Sequence, residues 1–366
     1  MADKASLRDL AFLFLKLGTI AFGGPAAHIA MMEDEVVRRR GWLTREELLD
    51  LLSAANLIPG PNSTELAIHI GYRRGGWKGL LVAGTCFILP AAVIVTFIAW
   101  LYVRYAKLPQ AEAVLYGIKP VIIAIIAHAL WRLGRTAMKS PLLAAAAVLA
   151  LVASFLGVNE LIVLFGTGVL IALVLTRRSM FVIPFAALPA AAAPAFGLLP
   201  LFLFFLKVGA VLFGSGYVLI AFLRADLVER WHWLTEAQLL DAVAVGQITP
   251  GPLFTTATFI GYVLGGINGA IVATVGIFLP AFFFVAISAP LVSRLRESRI
   301  AGAFLDGVNA ATVALMTFVT WQLARTALVD IPTIAMAVIS AVVLMRFTIN
   351  SVWLVAAGAV MGLLVS

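Results

Sequence analysis

One pattern runs through this chain twice, at a spacing of 191 residues. Phe14-Leu15-Lys16-Leu17-Gly18 recurs as Phe205-Leu206-Lys207-Val208-Gly209, and Trp42-Leu43-Thr44 recurs as Trp233-Leu234-Thr235. Leu48-Leu49-Asp50 answers Leu239-Leu240-Asp241, and Pro59-Gly60-Pro61 answers Pro250-Gly251-Pro252. One residue is then lost, after which Gly71-Tyr72 matches Gly261-Tyr262 and Leu89-Pro90 matches Leu279-Pro280. Trp, Pro, Gly and charged positions coincide, which chance similarity between apolar segments does not produce. Such self-similarity means that one structural solution must serve both halves. The units cover 14–176 and 205–366, after a polar N-terminus (1–13) and joined by an apolar linker (177–204) carrying Pro184, Pro189, Pro194 and Pro200.

The solvent for these units is lipid. The chain is 63% hydrophobic and 12% charged, with a mean hydropathy of +1.06; a soluble domain carries about twice that share of charge. Leu80–Leu101 is an unbroken apolar run, and Val121–Leu130, Leu142–Leu156, Leu161–Leu175, Ile271–Val292, Ala310–Trp321, Ile334–Leu344 and Val352–Val365 form the cores of others. A spanning helix needs about 20 residues to cross roughly 30 Å, and these segments are expected to reach that length with their flanks. No period-2 alternation appears, which excludes an outer-membrane barrel. The expectation is an all-α polytopic membrane protein, without a cleaved signal peptide because Lys16 interrupts the first apolar run. The net charge of +8 sits at the ends of apolar spans, so it signals orientation and not nucleic acid. The lone Cys86 excludes an internal disulfide and a thiolate metal site.

Charge also reports on topology. Arg73, Arg74 and Lys78, then Arg132, Arg135 and Lys139, then Arg177 and Arg178 are separated by even numbers of spans and share one side. In the second unit the first of these turns is uncharged (Val263, Leu264, Asn268). Its basic cluster, Arg294, Arg296 and Arg299 with Arg346 two spans later, falls on the opposite face of the unit. This flip is the signature of inverted-topology repeats.

Several motifs bear on chemistry. Lys16 and Lys207 each sit in an apolar segment, where a lysine at mid-membrane costs about 2.5–3.5 kcal/mol; lining a pathway and snorkelling to the headgroups are the two readings. Thr44 with Glu47, and Thr235 with Gln238, fit capping boxes before amphipathic helices that carry Asp50 and Asp241 in structural roles. The sharpest signal is Asn56-Leu57-Ile58-Pro59-Gly60-Pro61-Asn62-Ser63-Thr64, with its twin Gln247-Ile248-Thr249-Pro250-Gly251-Pro252-Leu253-Phe254-Thr255 followed by Thr256. The first proline opposes continuation of a helix, and the second suits the first turn of a new one. A helix broken inside a membrane needs protein or a cavity to satisfy its backbone, and its free N–H groups and positive dipole end make an anion site. Two such half-helices in corresponding positions point to a binding site at the repeat interface. Gly23, Gly24 and Pro25, with Gly214, Ser215 and Gly216, offer either a second backbone nest or close helix packing. Glu65 and His69 share a helix face, and together with Asp306 they are the candidates for proton coupling; His128 has a weaker claim. There is no nucleotide-binding loop, zinc motif or nucleophile elbow, so no cofactor, metal or enzymatic role is expected.

Phe-Gly-Gly-Pro at Phe22–Pro25, the Trp-Leu-Thr loops and Pro-Gly-Pro-Asn before a helix, in a duplicated frame, resemble the chromate ion transporter family of the two-domain, long-chain type. The resemblance covers nearly the whole chain. It implies a secondary transporter of the plasma (inner) membrane that exports chromate with proton coupling by alternating access. Sulfate is the close structural analogue, and the sequence leaves a homodimer open as a partner. The family's motif falls on Gly23, Gly24, Pro25, Pro59, Gly60 and Pro61, and on Gly214, Ser215, Pro250, Gly251 and Pro252; Ser215 and Gly216 depart from it, so the site is expected to be only pseudo-symmetric. The alternatives are a sulfate or other oxyanion carrier, an anion channel, and a lipid-acting enzyme, for which no catalytic cluster is present.

Overall fold

The computed structural model describes residues 6–22, 24–106, 108–176, 194–213, 216–289, 299–347 and 349–365. Gly23, Gly214, Ser215, the linker prolines Pro184 and Pro189, and the basic residues Arg177, Arg178, Arg294 and Arg296 lie outside them. The first unit runs α1 (Leu7–Ile20), α2 (Gly24–Glu33), a π-helical segment (Asp34–Arg39) and α3 (Arg45–Ala55). It continues with α4 (Asn62–Tyr105), α5 (Pro109–Ala137), α6 (Pro141–Phe155) and α7 (Glu160–Thr176). The second unit repeats the order: α8 (Leu198–Val211), α9 (Val218–Leu223), a second π-helical segment (Arg224–Arg230) and α10 (Glu236–Ile248). Then come α11 (Thr256–Ser288), α12 (Arg299–Ala327), α13 (Ile331–Arg346) and α14 (Ser351–Val365). The described residues contain no strand. Both capping boxes form as the sequence predicts, Thr44 with Glu47 and Thr235 with Gln238.

Neither α4 nor α11 is a rod. Gly76 has φ 60° and ψ −148°, and Gly266 repeats this with φ 60° and ψ −151°, a backbone that glycine alone adopts without strain. Each helix folds back on itself there. A Cβ on Gly71 would strike Gly79, and one on Gly84 would lie 2.8 Å from Ile68. In the second unit Thr258 and Thr274 share a hydroxyl hydrogen bond of 2.7 Å across the turn. The short arms, 62–75 and 256–264, are about 21 and 14 Å long at 1.5 Å per residue. They are the half-helices that follow the two Pro-Gly-Pro breaks, packed against the long arms 77–105 and 267–288.

The long arms meet at the molecular centre and run antiparallel. Leu80 clusters with Val285, and a Cβ on Gly84 would meet the Phe282 ring. Tyr102 reaches back to Phe259 on the short arm beside Thr274, with ring centroids 5.1 Å apart. Equivalent helices therefore point in opposite directions, which is what inverted repeats require. α1 packs on α4 with Gly18 against the Phe87 carbonyl, and α8 packs on α11 with Gly209 against the Ile277 carbonyl. The remaining helices are exchanged between units. α5 packs with α13 and α14, while α12 packs with α6 and α7. Gly117 lies directly on Gly358 and Gly362, and its counterpart Gly307 lies on Thr167, Gly168 and Ile171. Small residues let backbones touch where lipid supplies no hydrophobic drive.

Among the described residues four helices are long and apolar enough to span: α4, α5, α11 with the turn before it, and α12. The expectation of further full-length spans is corrected for α6, α13 and α14, while α7 is described up to Thr176, where this stretch of described residues ends. α6, α7, α13 and α14 have 15, 17, 16 and 15 residues, so each is about 23–26 Å long. Pro141 and Pro332 start α6 and α13 in their first turns, and Gly157 at φ +77° makes the turn after α6. Basic residues collect where the sequence places them: Arg73 pairs with Glu47 at 2.9 Å and Arg74 donates to the Trp42 carbonyl, joining the Gly76 turn to the first Trp-Leu-Thr loop.

The exchanged packing is testable through its glycines. Gly117→Val forces a branched side chain into the backbone of α14 and is expected to destabilise the protein by about 2–3 kcal/mol. Gly302→Ala, which meets nothing within 4 Å, is expected to be neutral. Thermal denaturation in detergent compares the two.

Candidate functional site

The two Pro-Gly-Pro loops dock reciprocally, each on the other unit. The Gly60 N–H donates to the Leu212 carbonyl at 2.7 Å, and the Gly251 N–H donates to the Ala21 carbonyl at 2.9 Å. Those carbonyls close the C-terminal ends of α8 and α1. Both glycines adopt positive φ, +138° and +90°. A Cβ at Gly60 would collide with the Glu65 carboxyl, and one at Gly251 would lie 2.6 Å from Ala91. Glycine is therefore required twice over, by conformation and by space.

The polar groups at this crossing are unequal. In the first unit the short arm starts at Pro61, whose carbonyl accepts from the Thr64 and Glu65 N–H groups at 2.7 and 3.0 Å. Asn62 donates to Asn56 at 2.6 Å, while its own side-chain oxygen has no partner. Ser63 faces Nδ1 of the buried His28 at 3.2 Å, and His28 Nε2 lies 3.0 Å from the Ala21 carbonyl. With Nε2 donating to that carbonyl, Nδ1 is left to accept from the Ser63 hydroxyl. A chain of contacts thus runs from the first short arm through His28 and Ala21 to Gly251 of the other unit. Thr64, both oxygens of Glu65 and both ring nitrogens of His69 are buried without a hydrogen-bond partner among the described residues; Glu65 is 0% exposed. Buried polar atoms are nearly always paired, so these five unpaired atoms make the first two turns of the short arm the candidate site.

The second unit supplies little of this. Phe254 and Phe259 stand near the positions that Ser63 and His69 hold in the first. The Thr249 hydroxyl donates to the Val245 carbonyl of α10, and Thr255 and Thr256 donate to the Pro252 and Leu253 carbonyls of their own loop, at 2.8 Å each. Gln247 accepts from Tyr217 at 3.3 Å, and its amide nitrogen is buried without a partner. Gly24 starts α2 at φ +76°, next to Gly23, which is outside the described residues. Pro59, Pro250 and Pro252 shape the loops.

The two lysines are not isolated charges. Lys16 Nζ lies 2.6 Å from Glu35 Oε1, and Lys207 Nζ lies 2.6 Å from Asp226 Oδ2. The Lys16 hydrogen bond, with Arg40 adding to it, holds the Glu35 carboxyl below the ordinary carboxylate range. Asp306 pairs with Lys139 at 2.8 Å on a half-exposed surface, so the structure does not bring it to Glu65 and His69. His128 is half-buried on α5. Asp241 accepts from Tyr102 at 2.9 Å and pairs with Lys119 at 3.4 Å, a buried tie between units. Sequence reasoning missed His28, Lys119 and the acids Glu35 and Asp226. The acids were findable, because they keep the same 191-residue spacing as the lysines they pair with. Among the described residues no cluster of His, Cys, Asp or Glu is suited to hold a metal ion.

The family described as "Chromate transporter" matches this chain over residues 8–173 and 199–363, once on each unit. The chain belongs to the chromate transporter family. It is 36% identical over 371 residues to the chromate transport protein of Cupriavidus metallidurans, covering 98% of this chain and 92% of that one. It is 34% identical over 351 residues to the probable chromate transport protein of Synechococcus elongatus, covering 92% and 89%. Against the chromate transport protein of Pseudomonas aeruginosa it is 34% identical over 350 residues, covering 90% and 84%. No solved structure matches. These relatives are transport proteins, not enzymes.

The crossing is expected to be intolerant of side chains. Gly251→Ala should lower the melting temperature in detergent by several degrees, since it strains the loop and breaks the bond to Ala21. Gly266→Ala, with open space around it but the same positive φ, separates conformational strain from steric collision.

Proposed function

We propose that this chain is a secondary carrier that exports chromate across the plasma (inner) membrane in exchange for protons, by alternating access at the interface between its inverted repeats. The observation that carries this reading is the set of unpaired buried groups, Thr64, Glu65 and His69, on the short arm that leaves the crossing of the two Pro-Gly-Pro loops. Family membership supplies the substrate class, since the relatives are chromate transport proteins. Chromate is a tetrahedral dianion, and each oxygen accepts hydrogen bonds. The start of the first short arm offers the N–H groups of Asn62 and Ser63 at a positive dipole end, with the Thr64 hydroxyl one residue on. Gln247 adds an amide donor from the other unit. The remaining loop residues, Pro59, Gly60, Pro61, Pro250, Gly251 and Pro252, hold those donors in place.

Glu65 and His69 are the proton carriers in this reading. A bare charge buried without a partner is costly in a membrane interior, so a carboxyl group there exchanges a proton instead of keeping a charge. Its side chain bends over Gly60, the residue whose N–H reaches the other unit, so its protonation and the docking of the loop act on the same few atoms. The end that carries Arg73, Arg74 and Lys78 faces the cytoplasm, following the excess of basic residues.

Uptake of labelled chromate into everted vesicles tests the proposal. Accumulation is expected in the wild type and should collapse when the proton gradient is dissipated. Glu65→Gln is expected to lose gradient-driven accumulation by tenfold or more, while chromate still equilibrates down its own gradient. Robust sulfate flux without chromate flux would overturn the substrate; gradient-independent, non-concentrative flux would make the protein a channel.

A further inference from the structure

Each unit contains a π-helical segment at the same place, 34–39 and 224–230, directly before the Trp-Leu-Thr loop. π-helical turns are rare and gather at functional sites, so their recurrence calls for a shared purpose. In both, one acid of the segment faces the lysine of the unit's first helix. Each carboxylate bridges the lysine to arginine. Glu35 Oε1 takes Lys16 at 2.6 Å and Arg39 at 3.5 Å, and Glu35 Oε2 takes Arg40 at 3.3 Å. Asp226 Oδ2 takes Lys207 at 2.6 Å, and Asp226 Oδ1 takes Arg230. The acids are backed into protein, with side chains 9% and 4% exposed, while the lysines remain 38% and 40% exposed. The cation is reachable, and the anion holding it is built in.

Their positions matter. Lys16 lies five residues before Ala21, and Lys207 five before Leu212, about 8 Å along each helix. Those two carbonyls receive the docked Pro-Gly-Pro loops. With the repeats inverted, one cation pair flanks the crossing from each side of the membrane. On the second side the pair opens on a cavity of about 700 Å³ lined by Lys207, Asp226, Arg230, Arg224 and Glu160. Arg224 is committed there to Glu229 and Glu236, at 2.5 and 2.6 Å, which leaves Lys207 and Arg230 as a pair bridged by one carboxylate. A carboxylate that offers one oxygen to a lysine and the other to an arginine occupies the contacts that two oxygens of a tetrahedral oxyanion would make.

We propose that Glu35 and Asp226 are internal competitors of the transported oxyanion: each occupies a lysine–arginine pair at one end of the route until a divalent oxyanion displaces it. This rests on the anion-carrier reading above. The competitor lowers the apparent affinity by the fraction of time it holds the cations, and it keeps an unfilled route from presenting a bare lysine. A stronger competitor admits only anions of higher charge, so the pairs also set selectivity for dianions over chloride-like monoanions.

Glu35→Gln and Asp226→Asn keep the shape and remove the competing charge. In vesicle transport, the half-saturating chromate concentration is expected to fall about fivefold in each, the factor that one partly exposed ion pair carries, and inhibition by chloride is expected to appear. If the acids only clamp the π-helical segments, the variants will melt at lower temperature with an unchanged or raised half-saturation, which overturns the proposal. Should the acid variants not accumulate, Arg230→Gln is measured instead: a half-saturation raised about fivefold supports the proposal, and an unchanged one overturns it. Absence of chromate uptake by the wild type would count against the carrier reading, and the same variants would then be scored with sulfate. Wild-type uptake with unaltered variants counts against the internal competitors alone.

Discussion

Two backbone hydrogen bonds hold the centre of this protein. Gly60 to Leu212 and Gly251 to Ala21 join each broken-helix loop to the first helix of the other repeat. In a membrane interior an unpaired N–H costs several kcal/mol, so neither loop is stable without the opposite unit. This makes the repeats mutually dependent at their weakest points. The rest of the architecture follows from that closure. The long arms of α4 and α11 cross antiparallel beneath the loops, and α5 and α12 reach across to pack with the short terminal helices of the other half. A unit excised from this arrangement would lose both its loop acceptor and its glycine-lined helix contacts.

Duplication makes the frame symmetric, and substitution makes the site asymmetric. Where the first unit has His28, Ser63, Glu65 and His69, the second has Leu219, Phe254, Thr256 and Phe259. One half thus keeps the titratable and hydrogen-bonding groups, and the other packs its equivalent surface with aromatic rings. Charge has been redistributed in the same manner. Glu33 pairs with Arg45 at 3.5 Å, and at the corresponding positions Arg224 pairs with Glu236 at 2.6 Å. The link between the π-helical segment and the amphipathic helix is retained with its polarity reversed, as befits two units whose equivalent faces meet opposite sides of a membrane.

Much of this was legible in the sequence because the determinants are local or repeated. Capping boxes, proline breaks and the half-helices they start depend on a few adjacent residues. The charge flip between Arg73-Arg74 and Val263-Leu264 disclosed the inversion before any helix was placed. What stayed hidden depends on distant partners. The turns around Gly76 and Gly266 were legible, but that each folds a short arm back onto the long arm of the same helix shows only in the glycine backbone angles. Lys16 and Lys207 looked like bare charges because the acids that pair with them lie 19 residues away, beyond the reach of helical spacing. The exchange of α5 and α12 between units leaves no signature in periodicity, since a Gly117 that touches Gly358 looks the same as one that touches a neighbour in its own repeat.

The central claim is the inversion of the two interlocked repeats, and the sidedness of their hairpin turns measures it. Replacing Cys86 by serine removes the single cysteine, and a cysteine is then introduced at Lys78 or at its counterpart Asn268, both exposed beside the turns. Labelling with a membrane-impermeant maleimide in right-side-out and everted vesicles reports which side each turn faces. Inversion requires Lys78→Cys to label only from the cytoplasmic side and Asn268→Cys only from the opposite side; labelling of both from one side would contradict it.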